Sequence, residues 1–232
     1  MSRTGIRSTH SCHRANRTIR AGLTIVALAA AAAISAVPNA GLAAPAKGGA
    51  ANLAMIGEPQ TLDPMASTAD LVSTIMQHVY EPLYTFDGSW NVAPMLAESM
   101  PAISKDGLVY TIPLRKGVKF HNGKEMTSDD VVASLKRWMD MAPRGKAVAK
   151  EVKSLEANGP YSVVITLNRP YAPLLAHFAL PSGFAVIMAK DSIANPLTQF
   201  VGTGPYVFKG AQARSVRADG ALRRIQRAQG GA

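Results

Sequence analysis

Five histidines, one cysteine and an adjacent pair of aspartates are the residues of this chain whose types could do chemistry. His10, His13, His78, His121 and His177 could each move a proton near neutral pH or ligate a metal. A metal site needs ligands at short, characteristic spacings. His78, His121 and His177 share no such spacing, so each reads as structural: His78 next to an apolar helical stripe, His121 in a turn. Asp129 and Asp130 have the types of a general acid and base pair. Neighbours on a helix point about 100° apart, and both sit where a helix should start, so they read as carboxylates at the positive end of its dipole. There is no nucleophile elbow, no HExxH pair and no phosphate-binding glycine loop. The expectation is no catalytic residue, no metal and no cofactor.

Charge gives a second exclusion. The chain has 232 residues and a net charge of +10, which at first suggests nucleic acid. Residues 1–20 hold five arginines and no acid, and residues 209–232 hold six basic residues and Asp219 alone. Residues 21–208 are balanced. The excess is terminal and does not form a basic face, so no nucleic-acid partner is expected.

The basic start precedes an apolar, alanine-rich run at 21–37, closed by Pro38 and small residues. That is the layout of a secretory signal peptide over 1–43, cleaved after Ala43 or Ala46 and followed by a small-residue linker, 44–51. Cys12 is the one cysteine, and it lies in the segment to be removed. The exported part would have no disulfide, so its stability must come from a hydrophobic core.

The elements expected downstream are short and mixed. Residues 52–56 read as a strand and 57–64 as a loop. Residues 70–80 carry an apolar helical stripe, with Ser67 and Asp70 spaced as a capping box. Residues 83–86 read as a strand ending in the Asp87-Gly88 turn, and 94–99 as a short helix. Strands at 108–114 and 118–120 lead through Asn122-Gly123 to a helix capped by Thr127 or Ser128. Its apolar face is Val131, Val132, Leu135, Trp138 and Met139. Residues 152–157 and 161–167 form a hairpin, with Val163, Ile165 and Leu167 on one face. A short helix at 173–178, a buried strand at 184–188 and a weak helix at 190–200 lead to GTGPY. Strands and helices do not alternate strictly, so the fold class is α+β (mixed α/β).

Four blocks in this order carry a family likeness: EPQTLDP at 58–64, VYEPLYTFDG at 79–88, the long run from Leu96 to Trp138, and VGTGPYVF at 201–208. Together they resemble the extracellular solute-binding proteins of family 5, the peptide- and nickel-binding class that serves ABC importers. The likeness covers residues 52–208. One departure is Pro113, which removes a ladder donor and should occupy an irregular or edge position.

The resemblance implies a partial periplasmic-binding-protein type II-like lobe with an accessory subdomain. Residues 201–208 would be the return strand into the main lobe, where Gly202 and Gly204 allow close backbone approach, and Pro205 fixes entry to Tyr206. It implies no catalysis, a small peptide or similar solute as ligand, ABC permease subunits as partners, a periplasmic location and a monomer. Thr68, Ala69 and Asp70 would lie on the rim of the ligand cleft, although plain helix capping would also account for Ser67 and Asp70. Family members continue for several hundred residues past GTGPY, so the expectation is an N-terminal part with the second lobe absent. The abrupt change after Phe208 makes 209–232 an atypical basic tail, disordered or out of frame.

Overall fold

Alternating residues build the largest sheet. The computed structural model describes residues 53–210 and the backbone of 225–227. All of these belong to one unit, Ala50–Ala232; the other, Met1–Gly49, lies outside the described residues, as do the expected signal peptide, the linker and most of the basic tail. Strands β3 (Ala102–Ile103), β4 (Val109–Pro113), β5 (Val152–Ala157) and β6 (Ser162–Leu167) form an antiparallel sheet in the order β3-β4-β6-β5. Tyr110 pairs with Ile165 and Ile112 with Val163, which puts these apolar residues on one buried face. The helix Ser128–Met141 packs on β5 and β6 and buries Val131, Leu135 and Trp138. Burying each large side chain contributes roughly 1.5–3 kcal/mol.

In chain order the helices are α1 (Asp70–Met76), α2 (Ser128–Met141), α3 (Pro143–Ala149) and α4 (Leu174–Ala179). A two-stranded hairpin, β1 (Tyr84–Phe86) and β2 (Val92–Pro94), precedes the main sheet. β7 (Tyr206–Phe208) pairs antiparallel with β8 (Ile225–Arg227). Asp130 starts α2 as expected: its Oδ2 accepts the Thr127 backbone N–H at 2.9 Å.

Pro113 occupies the end of β4, where β3 no longer reaches. Its carbonyl accepts the Glu98 N–H at 2.9 Å, while Leu114 donates to Tyr161 across the sheet at 2.9 Å. The absent proline N–H therefore falls on the side away from β6 and costs no bond of the β4–β6 ladder.

Several expected elements differ. Residues 53–56 form no strand: no partner pairs with them among the described residues, and Leu53 and Ile56 are exposed. The helix expected at 94–99 is absent, because the chain pairs there as β2 and continues extended, with Met95 and Ala97 both donating to the Leu83 carbonyl. At 118–120 there is only an isolated bridge, Lys119 to Glu125, around the Asn122-Gly123 turn. The weak helix at 190–200 is a single 3-10 turn, Lys190–Ser192. Pro196 has no N–H with which to extend it.

The apolar run 184–188 is buried but is not a strand. In place of a ladder it has one isolated bridge, Val186 to Pro82, a bond from the Ile187 N–H to the Glu81 carbonyl, and a polar stripe on α2. Asp130 Oδ1 accepts the Lys190 N–H at 2.9 Å. Ser134 Oγ accepts the Met188 N–H at 2.9 Å and donates to the Met188 carbonyl at 3.2 Å. Trp138 Nε1 donates to the Gly183 carbonyl at 2.9 Å. Positions 130, 134 and 138 share one helix face, and that face satisfies backbone groups that a buried segment must pair.

Candidate functional site

The sequence blocks that carry the family likeness meet one another in the fold. Asp63, from LDP, is buried and forms a bidentate ion pair with Arg137 of α2; the two shared bonds are Nη1 to Oδ1 at 3.0 Å and Nη2 to Oδ2. Arg137 also donates to the Ala194 carbonyl at 3.3 Å, and Asp63 Oδ1 accepts the Met65 N–H at 3.0 Å. Burial, then the nearby Asp63 carboxylate, pushes the Tyr80 hydroxyl well above its usual pKa. This pair was not anticipated from sequence. The signal was an aspartate within an apolar LDP turn and an arginine next to Trp138 on the core side of α2.

GTGPY docks against the end of α1. Gly204 donates to the Val79 carbonyl and Tyr206 to the His78 carbonyl, both at 3.0 Å. A Cβ on Gly202 would lie 2.0 Å from the Val79 oxygen, and one on Gly204 would lie 2.6 Å from the His78 oxygen. Close approach, not a left-handed backbone, is what requires these glycines. Pro205 leads into β7, and the Tyr206 ring meets His78 edge-on at 5.5 Å. Thr203 donates to Glu81 Oε2 at 2.7 Å.

All three candidate histidines have partners. His78 Nδ1 lies 2.9 Å from the Thr74 carbonyl. His121 Nε2 lies 2.8 Å from the Gly204 carbonyl. His177 Nε2 lies 2.9 Å from the Tyr171 hydroxyl. Among the described residues no group of three His, Cys, Asp or Glu side chains could hold a metal, and no helix is long and apolar enough to cross a membrane.

Thr68, Ala69 and Asp70 are exposed where α1 begins. The expected capping box does not form. Ser67 Oγ accepts the Ala69 N–H at 3.2 Å, so Ser67 stabilises the turn before the helix, and Ala69 is the residue at the cap position. The loop 181–183 borders this corner. Ser182 donates to the Thr68 carbonyl at 2.8 Å. Gly183 has φ +56, and its added Cβ would meet the Thr68 methyl at 3.1 Å. Arg144, in the first turn of α3, donates to the Ser182 carbonyl. Thr68 thus meets Ser182 and Gly183 at one corner, and Arg144 reaches that corner through the Ser182 carbonyl. A separate open cleft of about 430 Å³ lies between His121, Phe200, Val207 and Phe208 and includes none of the three expected site residues.

A family model described as bacterial extracellular solute-binding proteins, family 5 Middle, matches residues 91–218. The chain belongs to this family. The match runs from the turn before β2 through β7 and ten residues past Phe208. Family 5 is a family of solute-binding proteins, not of enzymes. Di/tripeptide-binding protein 2 of Pseudomonas aeruginosa is 32% identical over 235 residues, covering 87% of this chain and 42% of that protein. The periplasmic binding protein DppA from Helicobacter pylori, in complex with the peptide STSA, superposes with a TM-score of 0.56 and 32% identity, covering 65% of this chain and 35% of DppA. NikA from Brucella suis, in complex with Fe(III)-EDTA, gives a TM-score of 0.56 and 32% identity over 65% of this chain and 32% of NikA. The fold is therefore an α+β part of a periplasmic-binding-protein lobe, and the chain spans about two fifths or less of the length of these relatives.

Proposed function

We propose that this protein is the substrate-binding component of an ABC importer, binding small peptides or similar solutes outside the cytoplasmic membrane and passing them to permease subunits. The observation that carries the reading is the family match, together with 32% identity to a di/tripeptide-binding protein along most of the chain. The site geometry agrees with binding without chemistry: exposed Thr68, Ala69 and Asp70 beside half-buried Ser182, with every histidine of the described residues engaged in a structural contact. In this reading the signal peptide over 1–43 exports the chain to the periplasm, and it works as a monomer without a cofactor.

A thermal-denaturation screen against di- to pentapeptides tests the proposal. The expected result is a concentration-dependent rise in Tm with some members, since a ligand that binds only the folded state stabilises it by mass action. A flat response across the library favours a second reading, a folded lobe without transport function. The exposed Leu53 and Ile56, on a segment whose sequence has strand character but no partner among the described residues, favour that alternative.

A further inference from the structure

Among the guanidiniums that the fold positions, Arg115 and Arg144 are held only by a backbone carbonyl, and Arg144 is the less exposed of the two. Arg137 and Arg169 are each held bidentate by a carboxylate, Asp63 and Glu151. Arg144 is half-buried, and its one hydrogen bond among the described residues is to the Ser182 carbonyl. None of the ion pairs among the described residues includes it. Its fork has five N–H donors, so the Ser182 bond leaves most of them without an acceptor among the described residues. The same Ser182 donates to the Thr68 carbonyl at 2.8 Å, which puts the guanidinium next to the exposed rim. Its charge also reaches His177, where burial first and Arg144 second hold the imidazole pKa below its usual value.

We infer that Arg144 is a specificity-determining residue of this rim: a fixed, half-buried cation that takes a carboxylate of the bound solute. The inference rests on the solute-binding reading above and narrows it to carboxylate-bearing ligands, such as a peptide's free C-terminus or an acidic side chain. A planar guanidinium matches a carboxylate in two parallel bonds, which gives orientation as well as affinity. The Ser182 bond holds the side chain before ligand arrives, which lowers the ordering cost of binding. A neutral ligand would leave the cation half-desolvated and unpaired.

The test is binding of one mixed tripeptide library made twice, as free acids and as C-terminal amides, to the purified chain and to Arg144→Gln and Arg144→Lys. The wild-type protein should prefer the acids by roughly ten- to a hundredfold, the range of a charge-assisted hydrogen bond. Arg144→Gln should erase the preference, and Arg144→Lys should keep part of it. Equal binding of acids and amides by the wild type, or an acid preference that survives in Arg144→Gln, overturns the role of Arg144 and leaves the solute-binding reading intact. Binding of neither library overturns both. Melting curves of the two variants report whether they fold, and Arg144→Lys keeps the test decisive if Arg144→Gln does not.

Discussion

Arg137 grips Asp63 across 74 positions of sequence, with both side chains almost wholly removed from solvent. The pair joins the loop before α1 to the core side of α2, and through Ala194 it also holds the segment that leads to GTGPY. A buried ion pair of this kind adds little net stability over an apolar pair of the same shape, but breaking one side of it is expensive.

Asp63→Asn should therefore destabilise the protein by about 3–5 kcal/mol, because Arg137 keeps its charge and loses its partner. The double variant Asp63→Leu/Arg137→Met should be closer to wild type than Asp63→Asn. Urea denaturation of the three proteins measures this, and a double variant weaker than the single one would contradict it.

Ser134→Ala probes the polar stripe of α2. The hydroxyl serves both the N–H and the carbonyl of Met188 in a fully buried position. Its removal should cost roughly 1–3 kcal/mol through unpaired backbone groups, with no change in oligomeric state or fold. Faster hydrogen exchange of the Met188 amide would accompany the loss. An unchanged exchange rate would mean that the bond is not formed in solution.

The stripe also explains what could be read from the sequence and what could not. Elements with an internal period were legible: the β5–β6 hairpin, with Val163, Ile165 and Leu167 buried, and α2 with its Thr127–Asp130 start. Residues 184–188 were legible as buried but not as irregular, because their partners are distant in the chain: Ser134 of α2 bonds Met188, and the Glu81 carbonyl accepts the Ile187 N–H. The helix α3 has no clear sequence signal, since proline and glycine are the two poorest helix formers and it holds both Pro143 and Gly145. Pro143 sits at its first turn, and Gly145 is required since a Cβ there would lie 1.9 Å from the Trp138 carbonyl. For the site, Thr68, Ala69 and Asp70 came from family likeness. Ser182 and Arg144 reach that corner only through tertiary folding, which no local spacing encodes.

Gly202→Ala separates close approach from backbone flexibility. The new methyl would meet the Val79 carbonyl, which is backbone and held by the end of α1. The expected cost is about 1–3 kcal/mol or more, as for overpacking elsewhere. Gly88→Ala, with open space around it, should change stability by less than about 0.5 kcal/mol. Thermal melts of the two variants that coincide would disprove the docking of GTGPY on α1.

His177 supplies a pH signature. Its folded-state pKa is lowered, by burial first and by the Arg144 charge second. Between that value and the unfolded value near 6.5 the unfolded chain binds more protons, so stability rises with pH there. The contribution is complete above about pH 6.5 and is lost as pH falls toward the folded pKa. His177→Gln should flatten the Tm profile between pH 7 and pH 5 relative to wild type. Parallel profiles for the two proteins would show that the imidazole titrates as freely folded as unfolded.

In the proposed function this chain binds a solute without transforming it. Native mass spectrometry of the purified protein after incubation with a di- to pentapeptide mixture tests it most directly. One bound peptide per chain is expected, with the peptide recovered at unchanged mass after denaturation. A spectrum containing only the bare protein at every peptide concentration, or recovered peptides that have been cleaved, would contradict it.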